Sequence, residues 1–336
     1  MSILLRRLLV VAGCAAVIGF PVLCWLASSR LICPARRVLQ DYHHDILSNA
    51  REHGMRIRAF TLKDGVAQGT PALLCEPVSD PGAAVKGGLL RSQLQSRGLG
   101  LRPWGEVVGT LVLLHGHTGR KEDHLPVAER LCAAGFRCIL IDLPGHGGHP
   151  LPFASFGFRE AGLPSRTLAA AAAEFHFDPI PAGIFGISQG GAIALQAAAL
   201  DDDGNWRAVA ELSSFADLDG VIAHQARRLF GPLQAPARWV VHHLVQWRAG
   251  YDPASIRPVD AASRLTAIPA LVGHGDADTF VPPEHAQRLL AAVPSRKKEF
   301  LSVHGAGHHT VLVTEQPVYA TIAAFFLGAV RPDGKQ

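Results

Sequence analysis

From residue 109 onward, short apolar runs alternate with segments of helical character, and this rhythm constrains the fold more than any other feature. Gly109–Leu114 is apolar throughout, as expected of a parallel strand that is buried on both faces. The runs that predict strands are Gly109–Leu114, Arg137–Asp142, Pro181–Ile187, Arg207–Leu212, Pro269–Gly273 and Lys298–Val303. Strands that alternate with helices in this way predict a doubly wound, mostly parallel α/β sheet.

Four segments precede or interrupt this rhythm. Arg56–Leu62 and Pro71–Glu76 predict two further strands, joined by a turn at Asp64-Gly65. Residues 79–105 are rich in glycine, serine and arginine, so we expect an exposed, mobile insertion loop there. Residues 216–266 contain no strand pattern and predict a cap of two or three helices inserted after the sixth strand.

The composition excludes several classes of protein. Of the 336 residues 48% are hydrophobic and 18% are charged, which excludes a disordered, collagen-like or coiled-coil chain. The formal net charge is only +4 and no run of lysine or arginine occurs, so we expect no nucleic-acid partner. The 6 cysteines include no CxxC pair, which argues against a disulfide framework and a structural zinc site.

The N-terminus contains the longest apolar stretch of the chain. Leu8–Ser29 has no charged residue and is flanked by Arg6, Arg7 and Arg30. As a helix this run would be roughly 33 Å long, enough to cross the ~30 Å hydrocarbon core of a bilayer. It exceeds the roughly 7–15 apolar residues of a cleaved signal peptide. We therefore expect residues 1–34 to form an uncleaved, single-pass signal anchor that attaches the protein to a membrane.

Two other fates of this segment stay open. Ala27-Ser28-Ser29 offers a small-residue cleavage site, and Val11-Ala12-Gly13-Cys14 resembles a lipobox. Arginines on both sides of the apolar run determine the orientation only weakly. We favour the exported side for the globular domain, which we expect at residues 35–336.

The sharpest motif is Gly186-Ile187-Ser188-Gln189-Gly190, where an apolar strand turns directly into an alanine-rich helix. Small residues on both sides of the serine allow strand and helix to pack closely around a strained turn. The serine hydroxyl would then lie at a helix N-terminus, where backbone N–H groups favour a developing oxyanion. Ser188 is therefore the candidate nucleophile, and a serine that only shapes a tight turn is the alternative.

A serine nucleophile needs a base, and the base needs a carboxylate that orients it. His274-Gly275-Asp276-Ala277-Asp278 follows one predicted strand, and His304-Gly305-Ala306-Gly307-His308-His309 follows the next. Both segments lie at the carboxyl ends of strands, where doubly wound sheets form their sites. The order Ser, Asp, His along the chain is that of hydrolases with a nucleophile elbow.

On these motifs the chain resembles the serine hydrolases of the α/β-hydrolase fold, over about residues 56–328. The resemblance implies Asp278 as the catalytic acid, because it is the fourth residue of a Gly-x-x-Asp turn. It implies His308 as the base, because this histidine follows a Gly-x-Gly. Asp276 and His309 are the local alternatives for the two roles.

The same resemblance implies an oxyanion hole formed by the backbone N–H groups of Gln189 and His117. His117 belongs to His115-Gly116-His117-Thr118-Gly119, which resembles the His-Gly loop of the family. The family more often has an aromatic or apolar side chain at this place, so the role of the His117 imidazole stays open. His115 is expected to brace the loop.

The expected reaction is hydrolysis of a carboxylic ester through a Ser-His-Asp triad and an acyl-enzyme, on a small ester or acyl substrate. Trp239 and Trp247 in the predicted cap are interleaved with arginines, which suits a lipid-like acyl chain. A serine peptidase or amidase with the same residues is the alternative, and a non-catalytic binding protein of this fold is the third. The histidines lack metal-ligand spacing, and we expect neither a metal nor another cofactor.

Overall fold

The computed structural model describes residues 3–63, 69–201 and 204–330, with side chains from residue 18 onward. Within these residues eight strands form one sheet in the order β1-β2-β4-β3-β5-β6-β7-β8. They are β1 Met55–Leu62, β2 Thr70–Pro77, β3 Gly109–Leu114, β4 Phe136–Ile141, β5 Ala182–Ile187, β6 Trp206–Leu212, β7 Ala270–Gly275 and β8 Lys298–Val303. Only the pairings β1·β2 and β2·β4 are antiparallel, and the other five are parallel. The predicted α/β class is confirmed.

Eleven α-helices occur in the described residues and form two layers, a cap and the N-terminal segment. They are α1 Ile3–Ile32, α2 Asp41–Ser48, α3 Val85–Ser96, α4 Leu125–Ala133, α5 Leu163–Phe175, α6 Gln189–Ala199, α7 Leu218–Phe230, α8 Gln234–Ala249, α9 Pro258–Ala262, α10 Glu284–Ala292 and α11 Val318–Val330. One apolar cluster joins α3, α4 and α11 to one face of the sheet, and a second joins α5, α6 and α10 to the other. Strands buried on both faces, such as β3, follow from this three-layer arrangement.

The order of the central strands determines where a site can form. From β3 the chain passes to β4 on one side, and it later returns to β5 on the other side of β3. The loops that follow β3 and β5 therefore diverge at the carboxyl edge of the sheet. Open α/β sheets bind their ligands at such a point.

The expectation of a mobile loop at residues 79–105 is wrong, because this segment contains helix α3. Leu90 and Leu94 of α3 are fully buried against the first apolar cluster. A side chain at Gly87 would lie 2.8 Å from the Ala133 side chain. Glycine here permits close helix packing rather than mobility. The predicted turn at Asp64-Gly65 lies outside the described residues.

The cap is helical, as the sequence predicts, and consists of α7, α8 and α9 with short 3₁₀ turns. Its apolar cluster includes Val241 and Val245 of α8, and also Cys24 and Ile32 of α1. The end of α1 therefore packs on the cap, where the Phe20 and Phe230 rings lie 6.0 Å apart.

The predicted anchor Leu8–Ser29 lies in part outside the residues whose side chains the structure describes. In the described part of the chain, none of the helices combines the length and the apolar character needed to cross a bilayer.

Candidate active site

Ser188 lies between β5 and α6 in a backbone conformation that residues other than glycine rarely adopt, with φ 52° and ψ −117°. A Cβ at Gly186 would lie 2.1 Å from the Gly190 carbonyl oxygen, and a Cβ at Gly190 would lie 2.1 Å from the Leu114 carbonyl oxygen. Both glycines are required because these neighbours are backbone atoms. The strain at a residue such as Ser188 is of order 1–3 kcal/mol and is typical of functional turns.

The structure brings Ser188, His308 and Asp278 into one hydrogen-bonded chain. Ser188 Oγ lies 3.0 Å from His308 Nε2, and His308 Nδ1 lies 2.7 Å from Asp278 Oδ2. The side chains of His308 and Asp278 are 8% and 0% exposed. In this arrangement His308 can take the hydroxyl proton on Nε2 while Asp278 holds the proton on Nδ1.

Asp278 is held as a carboxylate by its neighbours. Its Oδ1 accepts hydrogen bonds from the backbone N–H groups of Phe280 and Val281, at 2.8 and 2.9 Å. Burial favours the neutral acid, but hydrogen bonds from His274 and His308 outweigh burial and hold the pKa of Asp278 well below its usual range. An ionised carboxylate at this position can orient His308 and stabilise the imidazolium.

Asp276 and His309, the alternatives for the acid and the base, lie outside the hydrogen-bonded chain of Ser188, His308 and Asp278. Asp276 accepts hydrogen bonds from His304 Nδ1 at 2.8 Å and from the Gly305 N–H at 2.7 Å. The His309 ring packs against the His308 ring at 5.1 Å. Asp276 therefore binds a turn at the surface, and His309 is a neighbour of the base rather than a partner of Ser188.

The loop after β3 packs directly against the candidate nucleophile Ser188. A Cβ at Gly116 would lie 3.4 Å from the Ser188 Cβ, and the Gly119 N–H donates to the Gly116 carbonyl at 3.0 Å. Gln189 is the first residue of α6. Within the described chain the backbone N–H groups of His117 and Gln189 donate to no protein acceptor, which leaves both available to a ligand.

Both histidines of this loop are fixed by hydrogen bonds, and His115 is buried whereas His117 is half-buried. His117 Nε2 donates to the Leu31 carbonyl at 3.0 Å, and its ring stacks on Phe156 at 5.6 Å. His115 Nε2 accepts from the Leu143 N–H at 3.1 Å, and its Nδ1 donates to the Gly116 carbonyl at 2.9 Å. Burial lowers the pKa of both, in His115 to about 3, so both are neutral.

Two further buried groups near Asp278 were missed by the sequence analysis. His274 Nε2 lies 3.3 Å from Asp278 Oδ2 and donates to the Val281 carbonyl at 2.9 Å. Burial raises the pKa of Glu211 to about 7, while its carboxylate accepts from the Ser214 N–H at 3.0 Å. The predicted strand ended at Gly273, whereas β7 continues to Gly275 and therefore carries His274 beside the acid.

A depression of about 1230 Å³ lies far from this constellation, among residues that include Arg207, Lys298 and Thr321. These residues are at the amino ends of strands and beside α11, whereas Ser188, Asp278 and His308 follow carboxyl ends. The depression is therefore no part of the candidate site. Across the described ranges, no cluster of three or more histidine, cysteine or acidic side chains could hold a metal ion.

Comparisons with solved structures give the same fold. Esterase Pf2001 of Pyrococcus furiosus is 15% identical, with 89% of this chain and 99% of the esterase covered and a TM-score of 0.60. A puromycin-hydrolyzing peptidase of Mycobacterium tuberculosis is 19% identical, with 84% of this chain and 42% of the peptidase covered and a TM-score of 0.55. A membrane phospholipase A, a bacterial virulence factor, is 17% identical, with coverage of 97% and 98% and a TM-score of 0.53.

At such low identity these structures establish the fold alone, and no curated protein sequence matches the chain. A sequence family described as "Alpha/beta hydrolase family" matches residues 111–324, which is nearly two thirds of the chain. The match includes the loop after β3, the turn at Ser188, and the segments with Asp278 and His308. The chain belongs to the alpha/beta hydrolase family.

Proposed function

We propose that the protein is a serine hydrolase that cleaves carboxylic esters through an acyl-enzyme. The observation that carries this proposal is the hydrogen-bonded chain from Ser188 through His308 to Asp278, with distances of 3.0 and 2.7 Å. A strained serine, a histidine base within reach and an ionised carboxylate behind the base are the groups that acyl transfer needs.

In the first half of the reaction, Ser188 Oγ attacks the ester carbonyl carbon while His308 Nε2 accepts the hydroxyl proton. The carbonyl oxygen becomes an oxyanion, and the N–H groups of Gln189 and His117 donate to it. When the tetrahedral intermediate collapses, the carbon–oxygen bond of the ester breaks and His308 returns the proton to the leaving alcohol.

In the second half, His308 takes a proton from water, and the hydroxide attacks the acyl carbon bound to Ser188. The same two N–H groups stabilise the second oxyanion. Collapse releases the carboxylic acid, and His308 gives its proton back to Ser188 Oγ. Asp278 keeps its charge in both halves and orients His308.

A peptidase or amidase reaction is the second candidate, since the structural neighbours include a peptidase as well as an esterase. The groups that act on an ester would act on an amide in the same order, with an amine as the leaving group. A non-catalytic binding protein of this fold is the third candidate, and an unreactive Ser188 would favour it.

The test is active-site labelling of the full chain with a fluorophosphonate, beside Ser188→Ala. We expect labelling of the wild type, no labelling of the variant, and a loss of several orders of magnitude in kcat on p-nitrophenyl esters. Matched acyl anilides then separate an esterase from an amidase. A folded wild type that takes up no label, or a Ser188→Ala variant with wild-type kcat, would contradict the proposal.

We further propose that the protein is bound to a membrane through α1, with the globular domain on the exported side. Helix α1 and the adjoining cap both carry exposed apolar side chains, a set that we call the cap face: Ile18, Val22, Leu26, Leu229, Leu233, Trp239 and Trp247. Trp25 and Trp247 lie 6.3 Å apart across the boundary between the two helices. The exposed apolar side chains of α1 and of the cap therefore meet at these two tryptophans.

The charges around the cap face suit an anionic lipid surface. No aspartate or glutamate occurs from residue 3 to 40 or from residue 220 to 251. Among the residues with described side chains, the same segments contain arginines at 30, 36, 37, 227, 228, 238 and 248, of which Arg238 pairs with Asp219 just before the second segment. Tryptophan and arginine beside an apolar surface are typical of contact with phospholipid headgroups. An ester with a long acyl chain is therefore the substrate class that we favour.

A further inference from the structure

We infer that the C-terminal end of α1 contributes to catalysis, because it positions the loop whose His117 N–H is proposed to bind the oxyanion. His117 is then a positioning residue through its ring, besides the role proposed for its backbone. The inference rests on the proposed hydrolase function and deepens it. It would make the N-terminal helix necessary for full activity, in addition to its role in attachment.

The first observation concerns the end of the helix. The last carbonyl groups of a helix have no partner within the helix and must find donors elsewhere. In α1 the Leu31 carbonyl accepts from His117 Nε2 at 3.0 Å, and the Ile32 carbonyl accepts from the Ala154 N–H at 2.9 Å. Both donors belong to loops that border the candidate site, so the end of the helix joins these two loops.

The second observation concerns the His117 ring, which is held from several sides. Phe156 stacks on it with an interplanar angle of 11°, and His146 contacts it edge-on with a centroid distance of 5.6 Å. The residue is half-buried, and desolvation lowers the pKa of its ring, so it remains a neutral donor. The single N–H of the neutral ring therefore stays hydrogen-bonded to the Leu31 carbonyl oxygen.

The third observation links the ring to the nucleophile. Gly116 precedes His117 and packs on Ser188, and Thr118 follows it with φ 64°, in the left-handed region. The hydrogen bond from the Gly119 N–H holds Gly116 in a turn, whereas His117 is held in the described residues through its side chain. The fixed imidazole therefore determines where the His117 N–H points, and a shift of about 1 Å in such a donor can cost up to roughly 100-fold in rate.

The fourth observation concerns what holds α1 in place. Arg248 of α8 donates to Ser28 Oγ at 3.0 Å and to Ser29 Oγ at 2.8 Å. Its guanidinium group lies 4.1 Å above the Trp25 ring. One cap residue thus fixes the last turns of α1 and, through the Leu31 carbonyl, the loop at the site.

The experiment compares His117→Leu and His117→Gln in the full chain. Leucine removes the donor, whereas the glutamine amide nitrogen reaches about as far as Nε2 and can still donate to Leu31. We expect kcat on a soluble ester to fall roughly 10- to 100-fold in the leucine variant, with KM little changed, and to recover most of that loss in the glutamine variant.

Two further readouts separate positioning from a general loss of structure. The pH profile of kcat should keep its shape in His117→Leu, because the pair of His308 and Asp278 is intact. Arg248→Met should lower kcat severalfold in the wild type but have little further effect in the His117→Leu background, because both changes act through the same contact.

The outcomes distinguish the two proposals. A wild type without labelling or hydrolysis overturns the proposed function and the inference with it. An active wild type together with a fully active His117→Leu variant, or a His117→Gln variant as impaired as His117→Leu, overturns the inference alone.

Discussion

The nucleophile side and the oxyanion side of the candidate site are held by contacts of different range. Ser188, Asp278 and His308 each lie within a few residues of a strand end, so the parallel sheet itself brings them together. The His117 ring depends on the Leu31 carbonyl, 86 residues earlier, in a helix outside the sheet. Short local motifs therefore supply the candidate catalytic groups, whereas the ring that we infer to position one donor is held by a distant part of the chain.

The largest effect should come from His308, the proposed base on the nucleophile side. Replacing His308 with Gln removes the group that accepts the Ser188 proton, so we expect kcat to fall by roughly four or more orders of magnitude. The measurement is ester hydrolysis under single-turnover conditions.

His309→Gln is the matched control for this prediction, because its ring only packs beside His308. We expect its kcat to stay within severalfold of the wild type. If the two variants lost activity equally, the assignment of the base to His308 would be wrong.

The second effect tests the turn at the nucleophile. In Gly190→Ala the new Cβ would lie 2.1 Å from the Leu114 carbonyl oxygen, which is backbone and has no room to move. We expect a loss of about 3 kcal/mol or more in the free energy of unfolding, or no folded protein at all. Urea unfolding measures it.

Gly88→Ala is the control for Gly190→Ala. Gly88 lies inside α3, and a Cβ there would meet no described atom within 4 Å. This substitution should raise the free energy of unfolding by about 0.5–1 kcal/mol, because alanine favours helix. A Gly190→Ala variant as stable as Gly88→Ala would show that the elbow has more room than its geometry indicates.

The same difference in range explains what the sequence could and could not predict. The alternation of strands and helices and the glycines around Ser188 are local, and they predicted the sheet and the turn correctly. The roles of Asp278 and His308 stay predictions, although the structure brings both to Ser188. No local pattern pairs His117 with Leu31, because neither residue type signals a partner so far along the chain.

The clearest error in the prediction from sequence concerns glycine. The glycines of residues 79–105 predict a mobile loop, whereas in the structure Gly87 allows α3 to approach Ala133 closely. A glycine in a mobile loop and a glycine in a close helix contact look the same in the composition. Only the residues that surround the glycine in the fold distinguish the two. His274 was missed for a related reason, since the length of β7 depends on its pairing with β8 and not on its own residues.

The third effect is a pH dependence of stability that arises on the nucleophile side. Burial raises the pKa of Glu211 to about 7, so the folded state binds its proton more tightly than the unfolded chain. Its contribution to stability is present at pH below its ordinary pKa of about 4.5 and is lost as pH rises to 7. His274, whose pKa is also raised, changes stability in the same direction.

In Glu211→Gln the side chain cannot ionise, so we expect the fall in stability over that pH range to become shallower. The measurement is the free energy of unfolding at several pH values between 4 and 8. Glu174→Gln, at an exposed position of α5, serves as the control. Parallel pH profiles for wild type and Glu211→Gln would show that Glu211 ionises normally in the folded protein.

The smallest effect concerns the cap face and the membrane contact that we propose for it. Trp239 and Trp247 are 63% and 75% exposed, and replacing both with Ser removes apolar area that would enter the headgroup region. We expect hydrolysis of an ester in vesicles with anionic phospholipid to fall severalfold, and hydrolysis of a soluble ester to stay unchanged. Leu200→Ser, 54% exposed and away from the cap, should change neither rate. An equal loss on both substrates would assign the two tryptophans to the site rather than to the membrane.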